Sequence, residues 1–197
     1  MGLIKMDKEE IRKFFDKWAE RWDSDMVIDD EIINTIMDSL EVKEGCDVLD
    51  VASGTGVLIP YYLTRNVKSV TAVDLSGKMT EIASHKFKDN NKVNCLNQDI
   101  YDHEGYQYDC IMVYNSLPHF ADPEQLVAHL TGLLKEGGRL TVAHGASREK
   151  INRHHGNVTN VSIDLLEIES LADIFSRYLT VKEMISDDKM YMITGIK

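Results

Sequence analysis

The 197-residue sequence has few cysteines, few prolines, no long apolar run and no excess of positive charge. Its three cysteines are scattered and form no CxxC pair, which disfavours a zinc or dithiol redox site. No segment approaches the roughly 20 apolar residues of a membrane span, and the N-terminal MGLIKMDKEE becomes charged where a signal peptide would be apolar. We therefore expect a cytoplasmic protein that does not enter a membrane.

The charge balance is acidic. The chain has 22 Lys and Arg against 33 Asp and Glu, a formal net charge of −11. Proteins that neutralise phosphates carry a stripe of basic side chains, so nucleic acid and anionic membrane surfaces are disfavoured as partners. The hydrophobic content of 43% is typical of a globular chain with a proper core. A small-molecule partner is expected, while the choice between a monomer and a homodimer stays open.

The N-terminal part of the chain has helical periodicity. In the segment 7–22 the apolar residues recur at spacings of three and four, at Ile11, Phe14, Phe15, Trp18 and Trp22. Asp7 is placed to cap this helix, and a second helical pattern follows at 29–40. We interpret residues 1–45 as an N-terminal helical cap and residues 46–197 as the main domain.

From residue 46 onward, short apolar runs alternate with helical patterns. Strands are expected at 46–52, 69–74, 92–98, 108–114 and 139–145. Helices are expected near 57–65, 77–88, 123–135 and 168–177, the third of them ended by Gly137 and Gly138. This alternation implies parallel strands joined by right-handed crossovers, and hence a doubly wound α/β sheet.

The last two apolar runs, 181–187 and 189–197, are separated only by a tight turn near Asp188. A parallel return needs a dozen or more residues, so these runs must form an antiparallel hairpin. The mostly parallel sheet is therefore expected to end with one reversed strand.

The loop after the first strand carries the most informative residues. Gly54 and Gly56 let the backbone turn sharply and approach a ligand. A dinucleotide fingerprint would need a third glycine where Ile59 stands, and no P-loop lysine follows, so a pyrophosphate and ATP are disfavoured. Asp50, at the mouth of the loop, would repel a phosphate and attract a cationic ligand.

Two further aspartates follow the next two strands. Asp74 stands 20 residues after Gly54, at the spacing where a carboxylate accepts hydrogen bonds from ribose hydroxyls. Asp99 follows the third strand, where a carboxylate can accept from an adenine amino group. Together with Asp50 they describe a nucleoside with a cationic tail and no phosphate, which is S-adenosylmethionine.

The chain resembles class I S-adenosylmethionine-dependent methyltransferases of the small-molecule type in VLDVASGTG at 48–56, AVDLSGKM at 72–79, NQDIYD at 97–102, YDCIMVYNSLPHFADPEQLVAHLTGLLKEGGRL at 108–140 and the closing hairpin. The resemblance covers roughly residues 46–197. It implies a Rossmann-like fold and transfer of a methyl group to a small molecule by in-line displacement. The Asn-Pro-Pro-aromatic run of amino-directed DNA and protein methyltransferases is missing.

The resemblance also implies roles for the residues that match the family's motifs. The implied cofactor-binding residues are Asp50, Ala52, Ser53, Gly54 and Gly56 at the methionine end, Asp74 at the ribose, Leu75, Met79, Asp99 and Ile100 at the adenine, and Asn115 at the sulfonium. Ala52 departs from the family, which usually has glycine there, and Ser53 stands where cysteine is common. We expect an ordinary φ at Ala52, and hence a slightly rearranged loop.

Some candidate residues have two interpretations. Trp22 lies either in a helix that packs against the sheet or in a lid that closes over the cofactor and touches it. His119 and His144 follow the fourth and fifth strands, so each is a candidate general base near the transferred methyl.

The segment SREKINRHH at 147–155 is expected to form a short helix. It is either a solvated surface helix or a substrate cap in which Arg148 binds an anionic group and His154 or His155 supplies a base or a metal ligand. Separately, His119, His144 and His155 are candidate ligands of a metal, whose presence is unknown.

The sequence leaves the methyl acceptor and its accepting atom open. It also leaves a second class of function, a non-catalytic S-adenosylmethionine-binding regulatory or interaction module that uses the N-terminal aromatic helix as its surface. A nucleoside-binding oxidoreductase is disfavoured by the missing third glycine.

Overall fold

The computed structural model describes residues 6–155 and 161–197, except for the side chains of residues 154 and 155. Within the described residues, one sheet is formed by β1 (Asp47–Val51), β2 (Ser69–Asp74), β3 (Val93–Asn97), β4 (Tyr108–Tyr114), β5 (Leu134–His144), β6 (Thr180–Ser186) and β7 (Tyr191–Ile196). The strand order is β3-β2-β1-β4-β5-β7-β6. The first five strands pair in parallel, and β7 runs antiparallel to both of its neighbours. The predicted doubly wound sheet with one reversed strand is confirmed.

The helices lie near the predicted segments. They are α1 (Lys8–Asp25), α2 (Asp30–Ser39), α3 (Ile59–Thr64), α4 (Gly77–Phe87), α5 (Pro123–Gly132), α6 (Arg148–His155) and α7 (Ile168–Phe175). Short 3-10 turns follow β3 and β4, at Ile100–Asp102 and Leu117–His119. The Asp7 carboxylate accepts a hydrogen bond from the Glu9 amide at 2.8 Å, so Asp7 caps α1 as predicted. No helix in the described part of the chain is long and apolar enough to cross a membrane.

The side chains of the central strands alternate between two apolar layers, one on each face of the sheet. Leu49 and Ile111 belong to the layer that contains α5 and α7. Val48 and Met112 belong to the opposite layer, which contains α2 and α3. Because both faces are covered, the strands consist of continuous apolar runs rather than alternating ones. Because helices cover both faces, a ligand can reach the sheet only at the polar ends of the strands.

The prediction that Gly137 and Gly138 end the helix at 123–135, which is α5, is wrong. That helix ends at Gly132, and both later glycines lie inside β5. β5 begins at Leu134, opposite Tyr108, and the pairing with β4 shifts before it resumes further along. A Cβ on Gly138 would lie 2.9 Å from the Lys135 carbonyl oxygen, so the irregular start of the strand needs a glycine.

Candidate active site

A cavity of about 310 Å³ lies at the carboxyl ends of β1 to β4, and α1 contributes part of its wall. Ligands bind at this edge in open α/β sheets. The predicted cofactor residues that line the cavity are Trp22, Asp50, Ala52, Ser53, Gly54, Asp74, Leu75, Met79, Asp99, Ile100 and Asn115. Gly56 and the candidates His144 and Arg148 are not part of the lining, whereas His119 is.

The loop after β1 is held in place by hydrogen bonds that its own amides donate to the end of β2. The Ser53 amide donates to the Val73 carbonyl at 3.1 Å, and the Gly54 amide donates to Oδ2 of Asp74 at 2.7 Å. Gly56 has φ +83°, and a Cβ there would lie 2.8 Å from the Ile59 side chain. Gly56 therefore allows the loop to pack closely against Ile59 of α3, while Gly54 lines the cavity.

The expectation of an ordinary φ at Ala52 is wrong. Ala52 has φ +52°, close to the φ +56° of Gly54. The left-handed conformation is costly for an alanine because of its Cβ, and the hydrogen bonds around Ser53 and Gly54 hold the backbone there. The loop thus keeps a glycine-like turn with an alanine in it.

We expect Ala52→Gly to stabilise the protein by about 1 kcal/mol, because glycine removes the left-handed strain at the cost of some unfolded-state entropy. Chemical denaturation measures this change. The control is Ala83→Gly in α4, where a buried alanine has helical geometry and the substitution is expected to destabilise by at least about 1 kcal/mol. A loss of stability in Ala52→Gly would contradict the strained-loop interpretation.

Asp74 links the loops that follow β1 and β2. Its Oδ2 accepts from the Gly54 amide and its Oδ1 from the Ser76 amide, at 2.7 and 2.8 Å. Each carboxylate oxygen has a second lone pair that remains able to accept from a ligand hydroxyl. Burial raises the pKa of the Asp74 carboxyl to about 6, although these two amides oppose the shift.

Asp50 lies at the base of the cavity and is almost completely buried. No described residue is within hydrogen-bond geometry of its Oδ2. Burial raises the pKa of the Asp50 carboxyl to about 8; the Tyr62 hydroxyl opposes this shift and the Asp74 carboxylate adds to it. A buried carboxylate oxygen without a donor is the acceptor that an ammonium group of a ligand would satisfy.

The raised pKa of Asp50 predicts a stability that falls with rising pH. Its unfolded value is near 3.8 and its folded value about 8, so between these limits the folded state holds one more proton than the unfolded state. This group then lowers the free energy of unfolding by about 1.4 kcal/mol per pH unit. We expect denaturation of Asp50→Asn from pH 5 to pH 8 to show a shallower decline than the wild type. Parallel pH profiles of the two proteins would contradict the raised pKa.

The carboxylate of Asp99 makes an ion pair with the ammonium group of Lys8, at the start of α1. The same ammonium group lies 4.9 Å from the centre of the Tyr101 ring. Asp99 also accepts from the Tyr101 amide at 3.1 Å, which fixes the turn that presents Ile100 to the cavity. The structure thus places a lysine of the N-terminal helix at the predicted adenine edge.

Two more carboxylates on α1 contact the neighbouring loops. Asp16 accepts from the Ser76 hydroxyl at 2.6 Å and from the Lys78 amide at 3.2 Å, at the start of α4. Asp23 accepts from the Thr55 hydroxyl and pairs with Lys86. Together with Lys8, these contacts fasten α1 to the ends of three adjacent strands.

The aromatic stripe of α1 is turned towards the cavity. Phe15 and Trp22 line it, and their ring centroids are 5.5 Å apart. A Cβ built on Gly54 would lie 3.8 Å from Nε1 of Trp22, so the indole lies against the loop after β1. Trp18 does not line the cavity and is 38% exposed. An interaction module that displays the whole stripe to a partner is therefore disfavoured.

His119 is the candidate histidine that lines the cavity. Its Nδ1 lies 2.7 Å from the Val161 carbonyl oxygen, and its ring packs edge-on against Phe15 at 4.9 Å. A carbonyl oxygen only accepts, so Nδ1 carries the hydrogen and the neutral ring has its basic lone pair on Nε2. This tautomer suits a general base.

His144 and Arg148 lie outside the cavity. His144 is buried beside the Tyr191 ring, with centroids 6.0 Å apart. Arg148 donates to the carbonyl oxygens of Leu165 and Leu166 and pairs with Glu167 at 2.9 Å. Arg148 therefore holds the chain before α7 and does not line the cavity.

Polar side chains of α6 point inward together with its single apolar residue. Ile151 packs against the core, and the Asn152 side chain accepts from the Leu165 amide at 2.7 Å. The side chain of His155 lies outside the described residues. Among the residues that are described, no group of three His, Cys, Asp or Glu side chains is close enough to hold a metal ion.

Sequence reasoning missed Ser116, the residue after Asn115. Ser116 lines the cavity, is 5% exposed, and its Oγ has no hydrogen-bond partner among the described residues. It also missed Lys8, Asp16 and Asp23, because their partners are far away in the sequence. Of these residues, only Ser116 could have been predicted to bind a ligand, because it lies in the loop at the carboxyl end of a parallel strand.

The chain matches known methyltransferases in sequence. Residues 49–142 match the model of a methyltransferase domain. A ubiquinone biosynthesis O-methyltransferase of Coxiella burnetii is 28% identical over 143 residues, which cover 68% of this chain and 61% of that protein. A malonyl-[acyl-carrier protein] O-methyltransferase of Acetivibrio thermocellus is 31% identical over 140 residues, covering 68% of this chain and 49% of that protein. The chain thus spans less than two thirds of the length of these curated relatives.

Solved structures share the fold over nearly the whole chain. The N-methyltransferase NodS of Bradyrhizobium japonicum, in complex with S-adenosyl-L-homocysteine, matches with a TM-score of 0.76 and 16% identity, covering 95% of this chain and 98% of that one. The magnesium protoporphyrin IX methyltransferase of Synechocystis matches with a TM-score of 0.72 and 18% identity, covering 97% and 100%. At these identities the likeness concerns the fold.

The sheet order, the matched domain and the related sequences all support a class I methyltransferase. The resemblance to class I S-adenosylmethionine-dependent methyltransferases that was noted in the sequence is confirmed. The cofactor of this family is S-adenosylmethionine.

Proposed function

We propose that the protein transfers a methyl group from S-adenosylmethionine to a small-molecule acceptor. The observation that carries this proposal is the convergence of Asp50, Asp74 and Asp99, which follow or end three adjacent strands, on one cavity. Small-molecule O-methyltransferases among the sequence relatives support the choice of acceptor class.

The described residues fit the cofactor. Asp50 offers a buried carboxylate oxygen without a donor, which suits the ammonium group of the methionine part. Asp74 retains lone pairs for ribose hydroxyls. Leu75 and Ile100 line the cavity near Asp99, where the adenine ring would lie between apolar side chains.

The protein's task in this reaction is mainly to align and to exclude water. The cofactor supplies a methyl group on a cationic sulfur, which departs as a neutral thioether when the acceptor attacks the methyl carbon. The walls formed by Phe15 and Trp22 keep water from the cavity, and the rigid loop after β1 fixes the donor. In this proposal, Nε2 of His119 takes the proton of a protic acceptor.

We further propose that residues 1–45 form a cap whose first helix is the lid of the cavity. The second helix of this segment packs into the sheet core, with Ile33 and Ile36 buried. In contrast, α1 is fastened to the cofactor loops by polar side chains at its start, middle and end. Each of these exposed or half-exposed polar contacts contributes little to stability, which suits a helix that must open and close.

Binding of S-adenosylhomocysteine tests the proposal directly. The chain has only two tryptophans, so Trp18→Phe leaves Trp22 as the fluorescent reporter at the loop after β1. We expect saturable quenching or enhancement of this emission, with the same affinity in titration calorimetry. ATP and NAD serve as control ligands. Incubation with labelled cofactor and a metabolite extract then identifies the acceptor, and a protein that binds the cofactor but labels nothing would favour a non-catalytic module.

A further inference from the structure

The cavity contains a buried hydroxyl that the cofactor-binding residues do not use. Ser116 follows β4, on the side of the β1 loop away from β2 and β3. An adenosine that lies over β2 and β3 directs its tail towards β1 and β4, so Ser116 lies near the end where the methyl group is donated. Its Oγ is buried with no hydrogen-bond partner among the described residues. Such a hydroxyl is costly unless a ligand pairs with it.

The charges of the cavity wall argue against an anionic acceptor. The charged side chains in the described lining are Lys8, Asp50, Asp74, Asp99 and Asp122. The one cation among them, Lys8, already pairs with Asp99. The described lining therefore offers no free basic side chain to pair with an anion near the methyl-donating end.

The remaining walls near Ser116 are apolar and aromatic. Phe15, Trp22 and Met26 of the α1 side line the cavity together with Tyr114 of β4. Flat rings pack well against such walls, and removing water from an aliphatic or aromatic face there costs little free energy. His119 lies in the same lining, with its ring against Phe15.

Building on the proposed function, we propose that Ser116 is an acceptor-binding residue and that the acceptor is an uncharged, flat, apolar molecule that presents a hydroxyl group to Ser116 Oγ beside His119. Ser116 orients this hydroxyl group, and the aromatic walls hold the ring. Carboxylates and phosphates of the same shape are rejected because no described basic side chain of the lining is available to pair with them.

Four simple probes test this proposal on the full-length protein saturated with S-adenosylhomocysteine. Phenol, toluene, benzoate and phenyl phosphate share one ring and differ in a single substituent. Ligand-observed NMR titrations measure their dissociation constants for the wild type, for Ser116→Ala and for Ser69→Ala, a control at the opposite end of the sheet.

For the wild type we expect phenol to bind at least tenfold more tightly than benzoate or phenyl phosphate. Ser116→Ala should weaken phenol about fivefold, as the loss of one neutral hydrogen bond predicts, and leave toluene unchanged. Ser69→Ala should alter none of the four. The affinity for S-adenosylhomocysteine should stay the same in both variants.

Other results would overturn the inference. Absence of phenol binding, or benzoate binding as tight as that of phenol, would exclude an acceptor site for uncharged hydroxyl compounds. A Ser116→Ala variant that weakens S-adenosylhomocysteine would assign the hydroxyl to the cofactor, and one that weakens toluene and phenol equally would assign it to packing. Failure of the wild type to bind S-adenosylhomocysteine at all would instead reject the proposed function.

Discussion

Asp74→Asn is expected to weaken the binding of S-adenosylhomocysteine by about 100-fold. The carboxylate of Asp74 holds the amides of Gly54 and Ser76 while its remaining lone pairs face the proposed ribose. An amide has one acceptor oxygen and no charge, so it cannot keep both backbone contacts and also accept from ribose hydroxyls. Hydrogen bonds to a charged group contribute about 1.5–3 kcal/mol each, and the loss of one or two gives this factor. Titration calorimetry measures it.

The matched control for this variant is Asp47→Asn. Asp47 is also a strand carboxylate, but at the opposite end of the sheet, where it pairs with Lys68 and Lys135. Its pKa is lowered to about 2, against the opposing effect of burial, by hydrogen bonds from Ser69 and these lysines. We expect Asp47→Asn to cost stability and to leave cofactor affinity unchanged. Equal affinity losses in both variants would indicate a general effect on the fold.

The raised pKa of Asp74 adds a pH test of the same interaction. The carboxylate form accepts from ribose, and the pKa of this group in the free protein is about 6. Affinity for S-adenosylhomocysteine should therefore fall as the pH drops through 6 in the wild type, and this fall should be smaller in Asp74→Asn. A wild-type affinity that is constant from pH 5 to pH 7.5 would contradict this assignment.

The sequence was sufficient to predict the sheet and the three aspartates because both depend on local signals. Apolar runs that alternate with helical patterns imply parallel strands, and the carboxyl ends of parallel strands meet at one edge. Asp50, Asp74 and Asp99 follow directly from their positions at those ends. Their convergence on one cavity needed only the strand order, which the crossover rule restricts strongly.

The contacts of α1 could not be predicted, because they depend on distant partners. Lys8 and Asp99 are 91 residues apart, and Asp16 and Ser76 are 60 apart. No periodicity in the sequence encodes such pairs. The aromatic stripe predicted that one face of α1 is buried, but only the three-dimensional arrangement shows that this face covers a cavity instead of packing on the sheet alone.

The backbone conformation of Ala52 and the direction of the Arg148 side chain could not be predicted from the sequence either. Ala52 adopts a left-handed φ because amides of the adjacent residues are held by β2, which a local preference for ordinary φ does not include. In one of the two interpretations of α6, Arg148 faces a substrate, and polar side chains of this helix do point inward. Its guanidinium, however, meets Glu167 and the carbonyl oxygens before α7, a segment whose path no local pattern reveals.

His119→Asn is expected to lower turnover by about 100-fold to 10,000-fold, the range for loss of a general base, while the affinity for S-adenosylhomocysteine changes by less than about threefold. Asparagine places an amide nitrogen near the position of Nδ1 and can still donate to the Val161 carbonyl, so the loop keeps its anchor. It has no nitrogen with a basic lone pair. The variant therefore removes proton acceptance and preserves the local fold.

Turnover is measured with the acceptor that gains label from the metabolite extract, at saturating concentrations and as a function of pH. The wild type should gain activity as the imidazole loses its proton, and His119→Asn should lack this rise. His144→Asn is the comparison, because His144 is buried beside Tyr191 and does not line the cavity. We expect that variant to lose stability and to keep its pH profile. Wild-type turnover in His119→Asn would contradict the role of His119 as a base. It would indicate an acceptor that needs no base, such as a thiolate or an unprotonated amine.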